Sequence, residues 1–187
     1  MKPWFEPLYW LASLFSLLVL ASVGLLIAWL LVAPPPSYHR TGYFEFALPH
    51  GWQCQREGTE TVCRPPDEPP HDAIIIFAAK YRNAQDSLPA YREHLAKPQQ
   101  NVRSDGKAYY SKILRNEERE IGNYRWIDAI HSESEIPNYH TRYLATITAQ
   151  IGVLITFSAH QSVAEARFDA FDACIESLRI YQEPVGW

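Results

Sequence analysis

Apolar and polar residues follow three different patterns along the chain. Between Leu8 and Ala33 there is no charged residue, and Ser13, Ser16, Ser22 and Gly24 interrupt an otherwise apolar run. A helix rises about 1.5 Å per residue, so this run spans a hydrocarbon core of roughly 30 Å with some tilt. Beyond it the pattern shortens. Strands are predicted at residues 43–48, 108–116, 124–132, 140–148 and 153–158, with Val153, Ile155 and Phe157 sharing a face in the last. Residues 73–80 form an almost continuous β-branched and apolar run, as in a strand buried on both faces.

Helical spacing occurs twice more. Ser87 is placed to cap a short helix with Pro89 in its first turn and Leu88, Tyr91 and Leu95 inward. In the last helix Ser162 and Glu165 have capping-box spacing, and Ala164, Phe168, Phe171, Ile175 and Leu178 recur as an apolar stripe. Turns are expected at Gly122-Asn123 and near Gly152, with a break at Ile136-Pro137-Asn138. Strands joined by short turns are antiparallel neighbours. The expected fold class is therefore α+β, an antiparallel sheet flanked by helices and preceded by one transmembrane helix. The expected divisions are a flank at residues 1–7, a transmembrane signal anchor at 8–33, a proline-rich tether at 34–42, a soluble domain at 43–181 and a tail at 182–187.

Aromatic residues support the anchor. Trp4, Phe5, Tyr9 and Trp10 crowd one end of the run and Trp29 lies near the other, where interfacial rings are expected. A cleaved signal peptide has a shorter apolar region, about 7–15 residues, and then a small-residue cleavage site. Here Pro34-Pro35-Pro36 follows directly and no Cys is near for lipid attachment, so an uncleaved anchor is expected, contacting the bilayer through residues 8–33. Ala12, Ser16, Gly24 and Ala28 recur at multiples of four, which would let two such helices approach closely.

Charge adds an exclusion. The formal net charge is -4, which gives no electrostatic reason to bind nucleic acid. About 145 residues remain beyond the tether, enough for a hydrophobic core without metals or staples.

The cysteines bear on compartment. Cys54 and Cys63 bracket a run whose midpoint is Gly58-Thr59. A Gly-first hairpin turn there pairs Glu57 with Glu60, Arg56 with Thr61, Gln55 with Val62, and Cys54 with Cys63. The last is a non-hydrogen-bonded pair, with Cα atoms about 4.5 Å apart, close enough for a disulfide. The facing Glu57 and Glu60 argue for a slightly different turn, and the alternative is two unrelated buried thiols. A bridge implies an oxidising compartment. The expected location is then the inner membrane, single-pass, with the domain on the periplasmic side. Cys174, beside the apolar stripe, is expected in the core.

Chemistry is sparse. No Gly-x-Ser-x-Gly elbow, Gly-rich phosphate loop or His-Glu-x-x-His motif occurs, and no two of the seven His lie at i,i+2 or i,i+4. Asp128 and His131 fall on opposite faces of one predicted strand. Glu117-Glu118-Arg119-Glu120 is expected in a solvated turn. No catalytic residue, metal site or cofactor is assigned. The candidate interaction loops are residues 64–72, with Pro65, Pro66, Pro69 and Pro70, and 136–140, with Tyr139. The plainer reading is that the prolines only stiffen a connection.

Several strings carry a family resemblance. They are Tyr43-Phe44-Glu45-Phe46-Ala47-Leu48-Pro49-His50-Gly51-Trp52, the Gly122 turn before an aromatic strand, and Ile155-Thr156-Phe157-Ser158-Ala159 followed by a helix ending Glu176-Ser177-Leu178-Arg179-Ile180. Over residues 43–181 the chain resembles the Mog1/PsbP-like superfamily, including the DcrB-type bacterial envelope proteins. The resemblance implies a layered sandwich and a binding or assembly module, and carries no binding motif onto particular residues. The leading expectation is a non-enzymatic, membrane-anchored module whose partner is a membrane-associated protein. The alternatives are a membrane-tethered hydrolase whose His and carboxylate meet only in the fold, and a cytoplasmic regulatory domain with reduced thiols.

Alkylation of protein from undisturbed cells is expected to find Cys54 and Cys63 blocked until reductant is added. Free thiols at both positions would remove the bridge and the compartment assignment together. Loss of the bridge should destabilise the domain by about 2–4 kcal/mol or less, because the closed loop is short.

Overall fold

The structure is a computed structural model describing residues 6–31, 37–66, 72–102, 106–134 and 136–181. The chain divides into two compact units, Met1–Pro35 and Pro36–Trp187. The first contains helix α1, Glu6–Leu31. Within it Trp10–Ala28 is long and apolar enough to cross a membrane. The side chains of residues 10–28 are exposed all round, and the Ser22 hydroxyl donates to the Leu18 carbonyl at 2.7 Å, so that polar group is satisfied within the helix.

The second unit runs in the order β1 Ser37–Arg40, β2 Phe44–Leu48, β3 Gln53–Glu57, β4 Glu60–Arg64, β5 Ala73–Tyr81, α2 Leu88–Leu95, β6 Gln100–Val102, β7 Ala108–Tyr110, β8 Lys112–Ile121, β9 Tyr124–Ser132, β10 Tyr139–Ile147, β11 Ile151–His160, α3 Ala164–Glu176 and β12 Arg179–Ile180. Seven strands form an antiparallel sheet in the order β3-β4-β5-β11-β10-β9-β8, with β1-β2-β12 and β6-β7 as smaller sheets. The result is the α+β layered class expected from the pattern.

Alternation along the strands fills the core on one side of the large sheet. Phe77, Ile155, Phe157 and Trp126 project there and meet Phe44 and Phe46 of β2 and Phe171 and Ile175 of α3. The Phe46 and Phe77 rings stack with centroids 4.1 Å apart. Helix α2 covers part of the other side, where Leu95 packs with Ile127, Ala129, Tyr143 and Ala145, and Leu88 and Tyr91 pack at the edge of that cluster. Ser87 caps α2 by accepting the Ala90 N–H, as its sequence predicts.

The cysteine hairpin has the predicted register, Glu57↔Glu60 through Cys54↔Cys63, with Gly58 at φ +63. Cys54 and Cys63 are disulfide-bonded, their Cα atoms 4.0 Å apart. The facing acids are relieved because the Glu57 carboxylate accepts from Arg64 Nη1 and Gln55 Nε2, both at 2.7 Å. Cys174 is buried in the main core.

Several boundaries differ from the pattern for identifiable reasons. Residues 37–40, read as tether, form β1, because Thr41 closes a tight turn through its side chain and Arg40 pairs with Glu45 at 2.7 Å. The predicted strand 108–116 breaks at Ser111, whose N–H donates to the Gln99 carbonyl at 2.9 Å, so β7 joins β6 while β8 joins β9. Strand β8 continues through Glu117-Glu118-Arg119-Glu120, whose acids are nonetheless exposed. The turn expected near Gly152 lies earlier, where Thr148 accepts and donates around residues 148–151, and Gly152 itself pairs with Ile147 inside β11. The Ser162 capping box does not form. Its hydroxyl bonds His160 Nδ1 at 2.7 Å, and the helix begins after Val163. The end of the expected helix is strand β12, paired with β2. Gly122, at φ +59, allows the β8–β9 turn to press on α3, since a Cβ there would lie 2.9 Å from the Glu176 carbonyl oxygen.

Phe171 is 1% exposed and Phe168 only partly buried. Phe171→Ala is expected to cost about 3–5 kcal/mol, and Phe168→Ala distinctly less, in denaturant unfolding. Equal losses would show that the two rings share one environment.

Candidate functional site

The two predicted interaction loops converge on the connection from β11 to α3. His160 donates its backbone N–H to the Asp72 carbonyl at 2.8 Å, and Gln161 donates to the Asn138 carbonyl at 2.9 Å. The Tyr139 ring meets the His160 ring edge-on, 5.4 Å between centroids. Pro65 is buried and Pro66 exposed; Pro69 and Pro70 lie outside the described residues. Pro66 packs on Gly51, where a Cβ would come within 3.1 Å of its ring. On α1, Ala12, Ser16, Gly24 and Ala28 are all exposed.

The sheet separates Asp128 from His131, as alternation requires. On the α3 side, Asp128 is fully buried beside Arg142, which is 1% exposed. Asp128 Oδ1 accepts from Arg142 Nε at 3.0 Å, and Oδ2 accepts from Arg142 Nη2, Arg115 Nη2 and Arg119 Nη1 at 2.8, 2.7 and 2.9 Å. Arg142 Nη1 also donates to Asp172 at 2.6 Å. Burial pushes the Asp128 carboxyl upward, but the Arg142 and Arg115 guanidinium groups outweigh it and hold the group below its ordinary value. This cluster joins β8, β9, β10 and α3.

On the α2 side, His131 Nε2 lies 2.9 Å from the Leu95 carbonyl, which can only accept, so Nε2 carries a proton, and Nδ1 lies 3.1 Å from Ser111 Oγ. Ser111 Oγ also accepts the Gln99 N–H at 2.8 Å. Ser111 and His131 are both buried, and the pair ties the β7–β8 break to the end of α2. His131 therefore meets a serine and a carbonyl there, not the Asp128 carboxylate. Among the described residues no group of three His, Cys, Asp or Glu side chains is gathered to hold a metal.

Beside α2 the sheet opens into a groove of about 870 Å³. Its floor is one transverse row, Ala78 of β5, Leu154 of β11 and Ala145 of β10, with Gly152 beside it. Leu95 and Tyr143 form a wall, and Leu154 remains 40% exposed. At one rim Asp86 accepts the Asn83 N–H at 2.8 Å, lies 2.9 Å from Lys80 Nζ and accepts the Tyr91 hydroxyl at 2.8 Å. The Asn83 N–H and then Lys80 bring the Asp86 carboxyl down to about 2, while burial and then Asp86 push the Tyr91 phenol up to about 12. Tyr91 thus stays an uncharged donor over Gly152.

Solved structures share this arrangement of layers. Cyanobacterial PsbP (CyanoP) from Synechocystis sp. PCC 6803 superposes with a TM-score of 0.55 at 13% identity, covering 81% of this chain and 95% of that one. The Ran-binding protein Mog1p of Saccharomyces cerevisiae gives 0.51 at 10% identity, covering 79% and 96%. The domain has the Mog1/PsbP-like fold. A Bacteroides thetaiotaomicron protein gives 0.54 at 18% identity over 77% of this chain and 47% of its own, so the chain spans about half its length. No family model matches the chain, and no curated protein matches it.

Within the Mog1/PsbP-like fold, the groove and the Asp128–Arg142 cluster were both missed by sequence reasoning. Residues 73–80 were read as covered on both faces, yet Ile74, Ile76 and Ala78 are only partly buried. The available signal was the small residues Ala78, Ala145 and Gly152 at alternating strand positions. The arginines carried no local signal, since Arg115, Arg119, Asp128 and Arg142 meet only through pairing of β8, β9 and β10.

Asp128→Asn leaves the buried Arg142 with only the part-exposed Asp172 as a charge partner and is expected to cost up to about 3–5 kcal/mol. The pH dependence follows from the same geometry. Asp86 falls from an ordinary 3.8 to about 2, and Asp128 is also depressed, so their contributions are complete above pH 3.8 and fade as pH falls toward 2. Melting temperatures measured across that window should drop steeply for the wild type and less for Asp86→Asn. Parallel curves for the two proteins would remove Asp86 from the acid response.

Proposed function

We propose that the protein is a membrane-tethered binding or accessory module, with α1 as a single-pass anchor and the disulfide-bonded domain on the extracytoplasmic side. The observation that carries this reading is α1 itself. A helix apolar on every side has no stable place in water and needs either a protein or a bilayer around it. The Cys54–Cys63 bridge supports an oxidising compartment. The ring and loop contacts at residues 136–140 and 160–161, with the exposed Pro66 on the neighbouring loop, supply a shaped surface for a membrane-associated protein partner, in which the buried Pro65 takes no direct part. The likeness in fold to Mog1p, described as Ran-binding, supports binding over chemistry by analogy only. The Ala12, Ser16, Gly24 and Ala28 stripe is the surface through which α1 would meet another helix.

Tethering raises effective concentration toward a membrane-bound partner, by factors of roughly 10²–10⁴ in avidity. In-cell crosslinking should therefore recover the partner with the full chain and lose most of it when residues 37–187 are exported without α1. An unrelated transmembrane helix in place of α1 should restore recovery if tethering alone matters, and fail if the small-residue stripe makes specific contacts. Equal recovery with and without any anchor would overturn the reading.

A further inference from the structure

We propose that the groove beside α2 holds the acyl chain of a bilayer lipid. The inference rests on the proposed anchoring by α1 and adds a ligand to it. Three observations select this occupant.

The first is size. A groove of about 870 Å³ lies within the range of small-ligand sites, roughly 300–1,000 Å³, and is small for a protein interface. The second is the chemistry of the floor. Strands β11 and β10 are paired on both sides across the floor, and β5 pairs with β11 throughout and with β4 as far as Phe77, so the backbone N–H and C=O groups beneath the floor point along the sheet and not up into the groove. A peptide strand laid across Ala78, Leu154 and Ala145 would find no main-chain partners and would leave its own polar groups unpaired. A hydrocarbon chain brings no such groups. The floor residues are small, and the side chain that stands up from them, Leu154, is apolar and 40% exposed to water. Covering it with methylenes removes apolar surface from water at no polar cost.

The third is supply. The domain is joined to an apolar helix of membrane-spanning length through residues 32–36, a linker reaching less than about 20 Å even when fully extended. A domain tethered in this way works beside a bilayer, where lipid is the abundant apolar molecule. The rim fits an amphiphile's polar end. Gln99 and Gln100 offer hydrogen bonds without charge, and the charge of Lys80 is matched by Asp86 at 2.9 Å. The rim therefore does not demand an anionic head. Gly152 keeps the passage under Tyr91 open, because a Cβ there would lie 3.0 Å from the Tyr91 hydroxyl oxygen.

The test uses the full chain in living cells supplied with a fatty acid bearing a photoactivatable diazirine, which the cells incorporate into their lipids. After irradiation, the protein is purified and its adducts are mapped by peptide mass analysis. Adducts of intact-lipid mass are expected on β5 and β11, around Ala78 and Leu154, as well as on α1. Ala78→Phe fills the floor without entering the main core, and Leu154→Glu sets a charge in it. Losing contact with two or three methylenes is enough to lower occupancy about tenfold. Both variants should lower the β5 and β11 adducts by that factor and leave the α1 adducts unchanged, with Cys54 and Cys63 still bridged.

Several results would overturn the proposal: no adducts on β5 and β11 while α1 is labelled, adducts there that neither variant reduces, or adducts carrying only the mass of free fatty acid. A photo-crosslinking residue at position 154 that captures a protein in place of lipid would assign the groove to a protein and also overturn it. Absence of label on α1 would instead strike the anchoring reading, and the adducts on β5 and β11 would still decide the groove.

Discussion

Adjacent residues of a strand must point to opposite faces of its sheet, and here that constraint separates large side chains from small ones. The row Phe77, Ile155 and Leu144 lies one residue away from the row Ala78, Leu154 and Ala145 on the same three strands. The first row is fully covered by α3 and the small sheet, while the second is left as a shallow floor. Core and groove are therefore two readings of one register. A slip of one residue between β5 and β11 would exchange them, placing phenylalanine in water and alanine in the core. Burial of the large row is what makes such a slip expensive, and the groove persists because the core holds it in place.

The same alternation explains the charged cluster at the edge of the core. Asp128 follows Trp126 on the large face, and Arg142 lies two residues from Leu144, on the same face of the neighbouring strand. Two charges enter a layer otherwise built of rings and branched aliphatics. Desolvating them costs several kcal/mol each, and the four donated bonds to Asp128 offset much of that cost without making the pair a net source of stability. Its value is in geometry, because only one register of β8, β9 and β10 brings three guanidinium groups to one carboxylate.

Features set by local chemistry were legible in the sequence. The Gly58 turn fixed the cysteine register, Ser87 and Pro89 marked the start of α2, and the stripe from Ala164 to Leu178 identified the residues that α3 and the chain after it bury. Features decided by contacts distant in sequence were not legible. Ser111 interrupts a plausible strand because Gln99 offers it a backbone pair, and Ser162 abandons its cap because His160 is nearer. Strand β1 is hidden in polar residues, since Ser37-Tyr38-His39-Arg40 alternates weakly and is mostly exposed. At the candidate site, the two loops could be placed from their prolines and from the break at residues 136–138, and their meeting at His160 could not.

Strand β1 also has a mechanical consequence. It is the outer strand of its small sheet, and it is the first element after the linker. Tension on the chain from residue 36 is therefore applied at Ser37↔Leu48, the open end of the β1–β2 hairpin, and reaches Arg40↔Glu45 last. Such loading separates the ladder one rung at a time. Strand β2 would keep β12 as its other neighbour, and Phe44 and Phe46 would stay in the core. Four residues released this way lengthen the leash by about 13 Å at roughly 3.3 Å per residue. Release of β1 would thus lengthen the chain ahead of the domain while leaving the residues that β2 contributes to the core in place.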